Sequence, residues 1–179
     1  LAFGGGTHTL DADSAVSAAG TVTCSGGSMT VEGSWNVAGT TQINNGTASF
    51  NSPITTGVLH ITNGGVLDGT GDITAVSLSW LKGRIKGSAA LVLTGDSTIY
   101  GTHYEEDKYL DGRTLTNRGT LAYTGDEWQF ENGGIFLNDT GATFDFRSDC
   151  KMWGNGSIDN QGTLRRTTGT GTATIEVTL

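Results

Sequence analysis

Proline occurs once in 179 residues, and that scarcity excludes proline-rich linkers and collagen-like repeats. Cysteine is almost as rare: Cys24 and Cys150 make neither a disulfide framework nor a metal-ligand spacing. Only 10 Lys and Arg stand against 18 Asp and Glu, a formal charge of −8. So acidic a chain repels a phosphate backbone, which clustered Lys and Arg are needed to hold, so nucleic acid is not an expected partner. No apolar run approaches the roughly 18 residues of a membrane helix, and no membrane partner is expected. Leu1 opens the chain without the basic and apolar segments of a signal peptide. The chain therefore reads as a mature fragment, with residues 1–179 as one domain of a larger protein.

Glycine is plentiful, 29 residues, and it punctuates short alternating segments rich in Thr. Cutting at these points exposes a repeat: Gly20 opens TVTC, Gly39 TTQI, Gly57 VLHI, Gly119 TLAY, Gly141 ATFDF and Gly162 TLRR, while Val76 precedes SLSW and Asp96 precedes STIY. Successive cuts lie 18 to 23 residues apart. That length suits three short strands and three turns but is too short for a strand plus a proper helix, so each unit is one all-β coil. Stacked coils of this kind predict a right-handed parallel β-helix, a β-solenoid of about nine coils. Residues 6–19 form a short first unit that could cap the stack.

Residues two apart on a strand share a side, so alternation assigns faces. One inward column is predicted from Val22, Thr41, Leu59, Leu78, Thr98, Leu121 and Leu164, and a second from Cys24, Ile43, Ile61, Trp80, Tyr100 and Tyr123. Phe144 and Phe146 join them through a one-residue bulge in 142–146. The aromatic run Trp80, Tyr100, Tyr123 and Phe146 is read as core because Ile43 and Ile61 share its column. Leu115, Leu137 and Ile158 align in the last strand of the later coils, and Asn117, Asn138 and Asn160 follow them as an expected amide ladder.

Signatures of enzymatic chemistry are missing. There is no Gly-x-Ser-x-Gly, no phosphate loop and no His pair at metal spacing, and His8, His60 and His103 fall on different coils. Glycoside hydrolysis needs two carboxylates roughly 5 to 10 Å apart, and Asp145 with Asp149 could meet that distance, with Arg147 and Lys151 alongside. A charged outer strand is the plainer reading of that pair, so the chain is expected to be non-catalytic, with no cofactor.

The most irregular stretch is residues 103–113, HYEEDKYLDGR, in the longest coil. Insertions into repeats map to loops, and loops carry function. The plain alternative is a solvated loop in which Lys108 and Arg113 balance charge. Parity in the following coils buries Trp128, Phe130, Cys150 and Met152 and turns Glu127, Glu131, Lys151 and Trp153 outward. The expected carbohydrate-binding group is thus Tyr104, Tyr109 and Trp153 with Glu105, Glu106, Asp107, Glu127 and Lys151, since exposed rings beside hydrogen-bonding groups suit the faces and edges of sugars. The acids could instead gather Ca²⁺, but no Asp-x-Asp-x-Asp loop supports it.

The stretches KYLDGRTLTNRGTLAYTG, NGGIFLNDTGATFDF and GNGSIDNQGTLRRTTGTGTATI resemble Gly/Thr/Asn repeats of bacterial surface and secreted proteins. By length, coil pattern and exposed aromatics the chain also resembles the β-helical xylan-binding modules appended to gut bacterial xylanases. That resemblance implies a secreted or cell-surface module without a cofactor, which binds a plant cell-wall polysaccharide, xylan first, beside a glycoside hydrolase domain in the same polypeptide. The alternative is a rigid spacer or stalk of a surface adhesin. Ice binding, raised by Thr-x-Thr at Thr7, Thr21 and Thr172, fits poorly with coils of unequal length.

Overall fold

The computed structural model describes residues 1–101 and 107–179. Within them lie 23 strands and no helix, and every strand pairing is parallel. The chain winds as a right-handed β-solenoid of about eight turns, with the start of a further coil at its C-terminal end. Each turn presents three faces. The first runs from Ala2–Gly4 through Val22–Ser25 to Thr163–Arg166; the second is a nine-stranded sheet from Thr7–Leu10 to Thr174–Ile175; the third runs from Ala15–Ala18 to Ser157–Asn160. Ser34–Asn44, Ile54–Thr62 and Ile73–Trp80 continue from the third face around the corner to the first face of the next coil, which joins those faces into one fourteen-stranded sheet. The residues 6–19 expected as a cap instead supply ordinary strands of the first coil, and Leu10, Val16 and Ala18 pack on the core from there.

The core follows the alternation with one change of phase. Cys24, Ile43 and Ile61 align with Trp80 as expected, but the next residue in the column is Ile99, not Tyr100, and Tyr123 and Phe146 follow it. Ser97–Ile99 sits one residue earlier than its sequence cut implies, so Ser97 and Ile99 point in while Thr98 and Tyr100 point out. Ile carries no polar tip to bury, whereas Tyr keeps its hydroxyl wet by facing outward. The buried Ser97 Oγ accepts a hydrogen bond from the Leu78 amide at 2.9 Å. Two further expectations are corrected. Thr143–Phe146 pairs with Thr120–Tyr123 in continuous register, so Phe144 and Phe146 need no bulge; the coil begins at Ala142, one residue after Gly141. Phe136, not Leu137, aligns with Leu115 and Ile158, because its ring fills the interior while Leu137 pairs with Thr116 on the outer side.

The amide ladder forms. Asn117 Nδ2 donates to Asn138 Oδ1 at 2.9 Å, and Asn138 Nδ2 donates to Asn160 Oδ1 at 2.7 Å and to the Thr163 carbonyl at 3.1 Å. Lys108 and Arg113, balancing charges in the alternative reading of a solvated loop, are instead buried at 1 % and 0 % exposure. Arg113 threads back along the axis, donating to the carbonyls of Lys86 at 2.8 Å and Gly69 at 2.7 Å. Burial lowers its pKa, against the pull of Asp68 and Asp72. A side chain on Gly87, whose φ is 110°, would press within 2.2 Å of the Gly69 carbonyl and reach the Arg113 guanidinium, so glycine keeps that corner open.

Replacing Asn138 with Ala leaves the Thr163 carbonyl without its amide donor. The free energy of unfolding is expected to fall by about 1–3 kcal/mol, read as a lower urea midpoint at unchanged slope. Cys24 and Cys150 are both buried and free, and six coils separate them by about 29 Å of axis. Burial raises both thiol pKa values, that of Cys150 to about 11. Alkylation is therefore expected to be slow in the native protein and to reach two thiols per chain after denaturation, by mass spectrometry.

Candidate functional site

The outer surface of the second face is built from two rung-aligned ladders. Val66, Arg84, Tyr109, Gln129 and Trp153 succeed one another in the first; Lys86, Asp111 and Glu131 form the second. Strand parity sends Leu110, Trp128, Phe130 and Met152 inward and leaves these residues out. Tyr109 and Trp153 are half-buried and two strand spacings apart, about 9.6 Å.

The Arg84 guanidinium carbon lies 4.3 Å from the Tyr109 ring centroid, on one of its faces. Arg84 also pairs with Asp111 at 2.8 Å and with Glu131. Burial works to lower its pKa, but hydrogen bonds and charge from Glu131 and Asp111 outweigh that and raise it. Asp111 is held below the usual carboxylate range: burial raises its pKa, but the hydrogen bonds from Asn132 and Arg84 and the charges of Arg84 and Lys86 outweigh that. Tyr109 donates its hydroxyl to Asp107 at 3.0 Å, and its pKa is raised by burial and by that acid. Gln129, on the rung between Tyr109 and Trp153, donates along its own strand to Glu131 at 3.2 Å. Trp153 donates its indole N–H to Glu127 at 3.1 Å, with the Lys151 ammonium 5.6 Å from the ring centroid and 3.0 Å from Glu176. A depression of about 210 Å³, lined by Lys82, Arg84, Asp107 and Tyr109, opens beside the first ring.

Of the expected binding group, the fold therefore brings Asp107 and Tyr109 together at one end of the ladder and Glu127, Lys151 and Trp153 at the other. Tyr104, Glu105 and Glu106 lie outside the described residues. Arg84 and Gln129 were not legible as members. They belong because they share rungs with the rings, and that register depends on how many residues the long coil spends before Lys108. Among the described residues, no group of three or more His, Cys, Asp or Glu side chains is placed to hold a metal ion.

The carboxylates weighed for hydrolysis, Asp145 and Asp149, are committed to other partners. Asp145 is fully buried, and what covers it is a ring of side chains: Arg147 donates to it at 2.9 Å, Arg165 at 3.1 Å and Thr167 at 2.8 Å. Burial raises its pKa, but those three bonds outweigh it and bring it below the ordinary value. A carboxyl held ionised cannot donate a proton near neutrality. Asp149 is engaged by Arg166 and by the Gly171 amide.

No family model, no curated protein and no solved structure matches this chain, so its site is read from its own chemistry.

Because the folded pKa of Asp145 is depressed, its contribution to stability is complete above about pH 4, the unfolded value. It is lost as pH falls through the lower folded value. The melting temperature is expected to drop between pH 5 and pH 2.5, and Asp145→Asn, less stable at pH 7, should lose less over that interval. Parallel pH profiles in circular dichroism melts check this.

Proposed function

We propose that the chain is a non-catalytic module that binds a plant cell-wall polysaccharide, with xylan the first candidate, in a secreted or cell-surface protein that also carries a glycoside hydrolase domain. The single observation that supports the reading is the Tyr109–Gln129–Trp153 ladder on the second face. Two half-buried aromatic residues occupy rung positions two strand spacings, about 9.6 Å, apart on one outer ladder, with hydrogen-bonding groups beside each. Glu127, Lys151, Asp107 and Arg84 supply those groups, with both signs of charge. A flat pyranose has apolar faces for such rings and hydroxyls for such groups. The depression beside Tyr109 is open and shallow, which suits a long chain passing over the surface rather than a small molecule enclosed by it.

The uninterrupted core favours the second reading, a spacer or stalk, since a rod of stacked coils transmits length whatever its surface does. Binding separates the two. In affinity gels containing soluble xylan the wild type is expected to be retarded, and Trp153→Ala and Tyr109→Ala should each weaken binding by about five-fold or more, a loss of about 1 kcal/mol, at unchanged melting temperature. No reducing or unsaturated ends should accumulate on prolonged incubation. Wild-type mobility unaffected by any plant polysaccharide would leave the spacer reading standing.

A further inference from the structure

We propose that a second polysaccharide-contacting surface lies on the first face, with the Tyr100 ring as its platform and Gln42, His60 and Ser79 as its hydrogen-bonding groups. It rests on the reading of the chain as a polysaccharide binder and adds to it a site on a different face, for a neutral chain lying along the solenoid axis.

The geometry of Tyr100 carries the inference. Its hydroxyl lies 3.4 Å from His60 Nε2 and receives the Ser79 hydroxyl at 3.4 Å. His60, Ser79 and Thr98 occupy the same rung position on three successive coils, so Tyr100 meets a residue two coils behind its own. Two strand spacings are about 9.6 Å, and a tyrosine side chain bridges most of that only by running along the axis. The ring therefore lies across the sheet, over the intervening coil. Tyr109 differs: it stands in its own rung with a guanidinium against one face. Tyr100 is half-buried, so part of its ring stays at the surface, where a sugar can stack on it.

The neighbours match a neutral ligand. Gln42, His60 and Ser79 are rung-aligned, half-buried and spaced at about 4.8 Å, comparable with the advance of one glycosyl unit. Thr23 donates to Gln42 Oε1 at 3.2 Å, which orients the amide and leaves its NH₂ without a partner among the described residues. Burial lowers the His60 pKa, so at neutral pH the ring is an uncharged imidazole with one donor and one acceptor. The outward column Thr23, Gln42, His60, Ser79, Thr98 and Ala122 holds no charged side chain before Asp145, whereas the second face is laced with ion pairs. Uncharged donors and acceptors beside a half-buried aromatic ring fit sugar hydroxyls and have nothing to attract a carboxylate.

Isothermal titration with soluble arabinoxylan and with mixed-linkage β-glucan tests the site, with melting temperatures measured in parallel. Tyr100→Ala is expected to weaken binding to at least one of them about five-fold or more. Tyr100→Phe, which keeps the ring, should stay within about two-fold of the wild type, since a single hydroxyl contact is a small part of the total. Should Tyr100→Ala lower the melting temperature, Gln42→Ala gives an independent reading, because the Gln42 amide nitrogen supports nothing in the fold; a weaker affinity is expected there too. If the wild type binds and both Tyr100→Ala and Gln42→Ala match it, or if the Phe variant loses as much as the Ala variant, the second surface is overturned while the proposed function stands. If the wild type binds neither these polymers nor any other plant polysaccharide, both fall together.

Discussion

Everything in this molecule depends on the register of parallel rungs. Each strand hydrogen-bonds to the one a coil earlier at about 4.8 Å, and each side chain is thereby set directly above its equivalent. Inside, that register stacks Leu115, Phe136 and Ile158 into one column and Asn117, Asn138 and Asn160 into another. Outside, it makes ladders, and a ladder is a surface whose chemistry is written one coil at a time. A shift of one residue moves a side chain to the opposite face, which is how Tyr100 leaves the core and Ile99 enters it.

The interior tolerates polar groups where a partner is built in. Thr41 faces inward and accepts the Trp35 indole N–H at 3.0 Å, and Thr56 donates to it at 2.9 Å. Arg113 is anchored by two backbone carbonyls. The satisfaction is incomplete: among the described residues Nη1 of Arg113 itself, the indole nitrogens of Trp80 and Trp128 and the Tyr123 hydroxyl have no hydrogen-bond partner. Each such group costs about 1–3 kcal/mol of desolvation. Ring packing offsets it, with Trp128 4.9 Å from Phe130 and 5.3 Å from Phe136 between centroids. This aromatic cluster occupies the coils that follow the long insertion, where large side chains fill the section of the rod.

Two outer faces of one rod have different chemistry. The second face crosslinks its rungs with Arg84, Asp111, Glu131, Lys86 and Asp68, a network that spans four coils. On the first face the outward column Gln42, His60, Ser79 and Thr98 offers an amide, an imidazole and hydroxyls, and the Tyr100 hydroxyl reaches back to two of them. Exposed ion pairs contribute little to stability one by one, so the charged lattice fixes the orientation of Tyr109 more than it strengthens the fold. In the proposed function the charged face offers two rings and the neutral face a platform, and a rod that presents both can contact two stretches of one long polymer.

Much of this was legible without coordinates. Glycine-punctuated segments 18 to 23 residues apart admit only a small all-β coil, and a chain of such coils has no way to bury its apolar residues except by stacking. Parity then buried Trp128, Phe130, Cys150 and Met152 and exposed Trp153 and Glu127, because alternation is a property of the strand itself. What the tertiary structure alone decided is phase and partnership. Whether a coil starts at Asp96 or one residue earlier, at Gly141 or at Ala142, depends on how many residues each corner consumes, and corners leave no periodic trace in sequence. Arg84 meets Tyr109, Arg113 turns into the core and Tyr100 reaches back to His60 because residues 25, 27 or 40 positions apart are brought one or two rungs from each other. Only a closed count of every coil between them places those side chains together.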